Sequence, residues 1–330
     1  MAVVLVTGLS GQDGRLLAER LVQDTWTVHG TISAESVEDS GFSEVATHRL
    51  DLTHHDETSA LVRDLEPDVI FNLAGISSVA RSWQEPAATI AVNAVGAATL
   101  LEAAWQLSIK ARRSVKFVQA SSAEIFGRAD DVPQNEKTQV RPVSPYGASK
   151  ALAHQLVGVY REKGLFASSA ILYNHESPLR PEAFVTRKIT KQVARISLGY
   201  DETLRLGSLE AKRDWGWAPD YVDAMLRMAK HSRPDDFVIA SGASHSIAEF
   251  VAQAFAVVGI DDWKNYVQMD DQFARPVNPG EMQGDASKAR RELGWAPSLT
   301  FEQIVQRMVQ HDINMQRSQM SLEKNEASPA

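Results

Sequence analysis

A tyrosine and a lysine four residues apart, in Tyr146-Gly147-Ala148-Ser149-Lys150, can bring a phenol and an ammonium to one face of a helix. A cation near a phenolate stabilises it, so the pair predicts a tyrosine whose pKa is drawn down from about 10 toward that of a useful base. Upstream, Ser121-Ser122-Ala123-Glu124 places a hydroxyl and a carboxylate just beyond an apolar stretch. Glu124 can cap a turn there. It can also serve as a second base, and two bases in one site suggest removal of a proton from carbon as well as from a hydroxyl. Near the N-terminus, Gly8, Gly11 and Gly14 stand three apart, with Gln12 and Asp13 between the last two. Glycines at that spacing allow a tight turn and let backbone N–H groups at a helix start approach a diphosphate.

Such residues act together only if the elements around them converge. Residues 2–7, AVVLVT, read as a buried strand, and the apolar residues Leu16, Leu17, Leu21 and Val22 after the glycines have helical spacing. The same rhythm repeats: TWTVHGTI, DVIFNLAG (68–75), VKFVQASS (115–122) and FASSAILYN (166–174) read as strands. Helical patterns lie between them at Glu57–Leu65, Ala87–Leu107 and Lys150–Arg161. Alternation of this kind predicts βαβ units and a parallel α/β sheet. Gly8, Gly75, Ser121, Ser122 and Asn174 then fall just past strand ends, where open α/β sheets bind ligands. The second strand ends VHGTIS, with neither the acidic residue usual for NAD nor the arginine usual for NADP. The residues alone leave that choice open.

Composition excludes several chemistries. With no cysteine among 330 residues, the chain has no disulfide, thiolate nucleophile or Cys-ligated metal. His29, His48, His54 and His55 form no spaced ligand set with carboxylates, and no metal site is expected. A net charge of −8 speaks against a duplex nucleic-acid partner. No continuous apolar run approaches the length of a bilayer span and no signal-peptide pattern opens the chain, which predicts a soluble, cytoplasmic protein without a membrane partner.

The stretches TGLSGQDGRLLAERL, DLTHHD, NLAGISSVARSWQEP, QASSAEIFG, SPYGASK, NHESPLRPEAFVTRKIT, RDWGWAPDYV and GDASKARRELGW together cover nearly the whole chain. In them the sequence resembles the nucleotide-sugar branch of the extended short-chain dehydrogenase/reductases, and within it the GDP-mannose 4,6-dehydratase family. GQDG, NHESP with FVTRKIT, and RDWG carry the narrower likeness. The resemblance implies a Rossmann-type parallel sheet flanked by helices, with a smaller mixed α/β substrate domain. Residues 1–175 would bind the dinucleotide, with about 210–245 returning to that domain; 176–312 would bind substrate, and 313–330 would be a frayed polar tail.

By the same resemblance, dinucleotide contacts carry over onto Gly8, Gly11, Gln12, Asp13 and Gly14, and onto Asp51 and Leu52 beside the adenine. Further contacts are Leu73, Ala74, Gly75, Tyr146, Lys150, Asn174, His175 and Arg180. The catalytic set is Ser122, Glu124, Tyr146 and Lys150. Substrate contacts fall on Asn174, Val185, Lys188, Arg213 and Arg275, with Ser77 and Glu176 near the sugar. The implied activity is conversion of GDP-mannose to its 4-keto-6-deoxy derivative by internal hydride transfer from C4 to C6. NADP is the implied cofactor, with NAD the alternative. Rival readings are a nucleotide-sugar reductase or epimerase, a dehydratase for another GDP-linked sugar, and a silent nucleotide-binding partner.

Three departures stand out. The segment HGTISAESVEDSG is short and lacks the family's arginines, which grip a 2′-phosphate and help build a tetramer, so a homodimer is expected. Asn278 replaces the carboxylate of the family's Arg-Pro-x-Glu, and Ser122-Ala123-Glu124 replaces Thr-Ser-Glu. In the C-terminal half, FVTRKITKQVARISLG reads as a helix whose Arg187 and Lys188 could meet a diphosphate or form a solvated basic face. Ser246 and Glu249 predict a capping box. Core packing is expected for Trp215 and Trp217.

Overall fold

The computed structural model describes residues 2–33, 43–200, 202–273 and 276–326. The chain begins with β1 (Val3–Thr7), α1 (Gln12–Gln23), β2 (Thr27–Ile32), β3 (Ala46–Arg49), α2 (His55–Leu65) and β4 (Val69–Asn72). It continues with α3 (Val79–Gln84), α4 (Pro86–Ile90), a π-helical turn (Ala91–Val95), α5 (Gly96–Ala111), β5 (Lys116–Ala120), α6 (Pro145–Glu162) and β6 (Phe166–Leu172). Beyond these lie β7 (Asn174–Glu176), α7 (Val185–Ser197), β8 (Leu204–Leu206), β9 (Lys212–Trp217), α8 (Ala218–Lys230), β10 (Asp236–Ile239), β11 (Ser244–Ser246), α9 (Ile247–Val257) and β12 (Val267–Met269). The last elements are α10 (Ser287–Leu293) and α11 (Phe301–Glu326).

Seven strands form one parallel sheet in the order β10-β6-β5-β4-β1-β2-β3. The order reverses between β1 and β4, and the crevice beyond their C-terminal ends is where such sheets hold nucleotides. Both faces of the sheet are covered, which is why its strands read as apolar runs rather than as alternations. Leu17, Leu21, Met225 and Phe237 lie in the core on one side, and Leu100, Leu101, Ala104 and Val157 in the core on the other. β10, with a long excursion before it, pairs with β6 at one edge. A third core, centred on Ile189, Val193, Trp215, Phe250, Val305 and Val309, packs α7, α9 and α11 together beside small sheets made of β11-β9-β7 and β12-β8. The architecture is thus a Rossmann-type sheet flanked by helices, with a smaller mixed α/β part.

Two expectations need correction. Residues 86–111 form one helical stretch that is long and apolar enough, by length and composition, to cross a bilayer. Its buried side packs into the sheet core through Leu100, Leu101, Ala104 and Leu107, so the apolarity is that of a core helix. The polar C-terminus does not fray at His311: α11 runs to Glu326, with Asp312, Ile313 and Gln316 buried. The capping box on α9 is present, with Ser246 and Glu249 each bonding the other's backbone N–H. Trp215 is buried in the third core, while Trp217 is half-buried.

Candidate active site

The glycine turn is built around backbone contact. Gly8 sits at φ +75°, and a Cβ there would come within 2.8 Å of the Ala74 backbone. A Cβ on Gly14 would lie 2.3 Å from the Gly8 carbonyl. These two glycines therefore let α1 and the loop after β4 close on the end of β1. Gly11, the residue before α1, is exposed and supplies no side-chain cap, so protein side chains leave the first N–H groups of the helix to the crevice. Ser121, just past the end of β5, has a buried hydroxyl without a hydrogen-bond partner among the described residues. An uncapped helix start at the switch point and an orphaned hydroxyl at its floor fit a dinucleotide diphosphate and nicotinamide ribose.

A buried polar chain runs under this crevice. Thr7 donates to Asn72 (2.7 Å) and Asn72 donates to Gln119 (2.8 Å) across three strands in register. Thr7 also accepts from the Ala74 N–H at 3.2 Å, fixing Leu73-Ala74-Gly75. Asn93 does similar work from the π turn: its Oδ1 accepts from the Ile76 N–H at 2.8 Å, and its Nδ2 donates to Ser149 at 3.0 Å. A Cβ on Gly75 would approach that Oδ1 to 2.8 Å. The sequence reading missed all four side chains. A lone asparagine inside the apolar stretch AVNAVGAATLL was the available signal for Asn93.

Ser122, Glu124, Tyr146 and Lys150 meet at the ends of β5 and the start of α6. Ser144 caps α6 by accepting from the Gly147 N–H at 3.0 Å, and Pro145 occupies the first turn. The Ser122 hydroxyl accepts from the Glu124 N–H at 3.2 Å and is hydrogen-bonded to Tyr146. Lys150 donates to the Ala120 carbonyl at 2.9 Å, and its Nζ lies 6.0 Å from the Tyr146 ring centre. The expected lowering of the tyrosine is not found. Burial, with Glu124 and Asp13 nearby, pushes Tyr146 up to about 12 against the opposing effects of Ser122 and Arg180. Burial likewise brings Lys150 down to about 8. Desolvation is the largest cause of both shifts.

Opposite α6, Asp13 accepts from His175 Nε2 at 2.9 Å. Gln12 donates to the His175 carbonyl at 3.1 Å and accepts from the Ser177 hydroxyl at 2.8 Å. Arg180 lies over the Phe184 ring (3.9 Å) with its Nε 3.4 Å from the Glu176 carboxylate, and its charge bears on Tyr146, Asp13 and His175. Glu176 is buried and accepts from Thr186 at 2.6 Å. Asn174 opens the short strand β7 and pairs with Trp215 of β9.

The other sequence-derived positions are more dispersed. Asp51 accepts from both the N–H and the hydroxyl of Thr53, bonds that hold its carboxyl below its usual range, and Leu52 is a core residue against Gly96. Ser77 is exposed on the loop after β4. Val185 starts α7, and Lys188 on the same helix places its ammonium 3.3 Å from the Phe273 ring centre. Arg187 does not face a ligand: it is buried, paired with Asp312 of α11 and bonded to the Pro178 carbonyl. Arg213 is buried on β9, donating to the carbonyls of Lys212 and Gly280 and to Asn278 Oδ1 at 3.4 Å. Arg275 and the acidic stretch after β2 (residues 34–42) lie outside the described residues.

The family model described as GDP-mannose 4,6 dehydratase matches residues 5–308. GDP-mannose 4,6 dehydratase 2 of Arabidopsis thaliana is 41% identical over 97% of this chain and 89% of its own length. The Vibrio cholerae GDP-mannose 4,6-dehydratase is 36% identical over 98% of this chain and 96% of its own. Among solved structures, the Thermotoga maritima UDP-glucose 4-epimerase superposes with a TM-score of 0.84 at 22% identity, covering 95% of this chain and 99% of that one, which speaks for the fold alone. The Pseudomonas aeruginosa RMD structure complexed with NADPH gives a TM-score of 0.77 at 25% identity, covering 96% and 100%. With a single family model spanning most of the chain and relatives this similar over nearly all of it, the chain belongs to the GDP-mannose 4,6-dehydratase family of the extended short-chain dehydrogenase/reductases.

Proposed function

We propose that the chain is an NAD(P)-dependent lyase that converts GDP-mannose to GDP-4-keto-6-deoxymannose and water. The observation that carries the chemistry is the grouping of Ser122, Tyr146 and Lys150 with a carboxylate, Glu124, on the turn that Ser122 caps. When bound, a nicotinamide dinucleotide supplies the hydride acceptor for C4 and the hydride donor for C6. Tyr146, bonded to Ser122, takes the proton of the C4 hydroxyl as the phenolate, the form that Arg180 favours, and becomes the phenol. Lys150 holds the ribose side of the pocket from the Ala120 carbonyl. The 4-keto group acidifies the C5 proton, which Glu124 removes, and water then leaves from C6 with Ser122 and the protonated carboxyl assisting. The hydride taken from C4 is returned to C6 and the proton held by Tyr146 goes to C5, so Tyr146 is restored and no reductant is consumed.

The assignments of Gly8, Gly11, Gln12, Asp13, Gly14, Leu73, Ala74, Gly75, His175 and Arg180 to the dinucleotide, and of Lys188, Arg213 and Asn174 to the sugar nucleotide, belong to this proposal. So does NADP as the preferred cofactor, which the mass of the copurifying dinucleotide tests. We assign the enzyme to the cytoplasm, where nucleotide sugars and nicotinamide dinucleotides are available, with neither nucleic acid nor membrane as partner, and to a homodimer through α5 and α6. The deciding experiment incubates the purified protein with GDP-mannose and no added reductant. Loss of one water with appearance of a carbonyl supports the dehydratase. No turnover under these conditions, with stoichiometric consumption of NADPH when it is supplied in a second incubation, would instead make it a reductase.

A further inference from the structure

Asp13 is an unexpected residue in a turn suited to diphosphate, because a carboxylate there repels the ligand. Its surroundings explain how it is tolerated. His175 is buried, and both of its ring nitrogens face acceptors: Nδ1 meets the Tyr173 carbonyl at 2.7 Å, and Nε2 meets the Asp13 carboxylate at 2.9 Å. A carbonyl can only accept, and an ionised carboxylate can only accept. Both nitrogens must therefore carry protons if Asp13 is ionised. The ring is stacked on Tyr221 of α8 at 4.6 Å, and the flanking backbone is tied to α1 by Gln12 and Ser177, so neither partner can swing away without breaking several bonds.

We propose that Asp13 and His175 form a buried imidazolium–carboxylate latch that joins the first turn of α1 to the β6–β7 junction and makes dinucleotide retention depend on the proton held by His175. The proposal rests on the dinucleotide reading of this crevice. Burial disfavours the imidazolium, but the charge and hydrogen bond of Asp13 and the Tyr173 carbonyl outweigh it and raise the His175 pKa. The same contacts outweigh burial at Asp13 and lower its pKa. The other charged and titratable groups facing the pair are Arg180 and Glu176 near β7, Tyr146 and Lys150 on α6, and Tyr221 on α8. While His175 holds its proton the pair is neutral overall. Once it is lost, the Asp13 carboxylate adds a negative charge beside an anionic ligand, offset only by the more distant charges of Arg180 and Lys150.

Two measurements test this on the full-length protein. Nitrogen-15 spectra of the histidine side chains at pH 7.5 are expected to show one ring, absent from the His175→Gln spectrum, with both nitrogens protonated. NADPH fluorescence titrations are expected to give a Kd that rises by up to tenfold per pH unit once His175 titrates. Asp13→Asn keeps a bonded pair without charge. Because Lys150, brought down to about 8, adds an alkaline limb of its own, the substitution is expected to leave a limb shallower than that of the wild type. If His175→Gln does not fold, Asp13→Asn still decides, because a shallower limb supports the latch and an unchanged one overturns it. A singly protonated His175, with NADPH affinity flat in pH, overturns the latch and leaves the dinucleotide reading standing. Absence of NADPH and NADH binding at every pH overturns that reading and the latch with it.

Discussion

Lys150 shows at the scale of one residue how function opposes stability. Its ammonium is buried and brought down from 10.5 to about 8, so the folded chain carries a charge that its surroundings disfavour. Because the folded value lies below the unfolded one, the unfolded chain binds more protons between about 8 and 10.5, and stability rises with pH through that window. Below it the whole penalty is present. Replacing Lys150 by Met is therefore expected to stabilise the dinucleotide-free chain at pH 7 by about 2 kcal/mol, the desolvation relieved less one hydrogen bond to Ala120. The gain should fade toward pH 10 while turnover is abolished. Calorimetry at the two pH values checks both, and a variant less stable at pH 7 contradicts the account. Glu124→Gln tests the carboxylate proposed as the second base: turnover should fall at least about a hundredfold. Binding of GDP-mannose should change only a few-fold, and solvent deuterium should no longer enter C5. Ser122, Glu124, Tyr146 and Lys150 were legible in the sequence because each sits at a strand end or helix start. The direction of the Tyr146 shift was not, since spacing reveals a neighbouring cation but not the depth of burial that outweighs it.

Among the elements, α7 and α11 show where sequence periodicity stops being readable. The inward positions of α11 run Ile304, Val305, Met308, Val309, then Asp312, Ile313 and Gln316, so the repeat continues after its residues turn polar. A polar continuation looks like a tail until its partner is known. That partner is Arg187, which with Thr190 at 2.7 Å satisfies the Asp312 carboxylate and, through the Pro178 carbonyl, steadies the loop bearing Arg180. The strands β1, β2, β4, β5 and β6 were the opposite case, because their inner residues are buried and announce themselves by composition; β3, a half-exposed edge strand reading ATHR, and β10 gave no such signal. The helix after β4 was legible too, but the π turn that aims Asn93 at Ile76 was not, because a one-residue slip in hydrogen bonding leaves the apolar pattern nearly unchanged. Asp312→Ala leaves a buried guanidinium without its carboxylate and is expected to lower stability by about 3–5 kcal/mol. As Lys188 follows Arg187 on α7, GDP-mannose affinity should fall more than NADPH affinity. Urea unfolding and titration calorimetry measure the two effects, and an equal loss for both ligands would mean that α11 braces the whole fold rather than α7.

At the scale of the whole molecule, α5 and α6 lie side by side and both leave apolar side chains in solvent. On α5 and the turn before it, Val95, Ala98, Trp105 and Ile109 fall on one stripe at intervals of three, seven and four residues. On α6, Leu152, Leu156 and Val159 do the same, with Val159 59% and Leu152 44% exposed. Two adjacent stripes at helical spacing form the kind of continuous apolar surface that marks a contact between proteins. In the proposed homodimer this face would meet a second copy. A chain with a net charge of −8 repels its own copies, and a mainly apolar stripe, with the paired Lys163 and Glu102 beside it at Trp105, is where that repulsion is least. Four helices, two from each copy, can pack there with interdigitated side chains. The consequence reaches the chemistry, because α6 carries Tyr146 and Lys150 in its first two turns and the π turn adjoins α5. Leu152→Glu combined with Val159→Glu is expected to turn a sedimenting dimer into a monomer, since each charge would be buried against its symmetry mate. Neither residue touches the crevice floor, so the monomer should still bind NADPH, but with a lower thermal midpoint because the helices that frame Tyr146 and Asn93 lose their outer packing. A wild-type chain that sediments as a monomer, or a doubly substituted one that remains a dimer, would place the assembly surface elsewhere and leave these stripes without a partner.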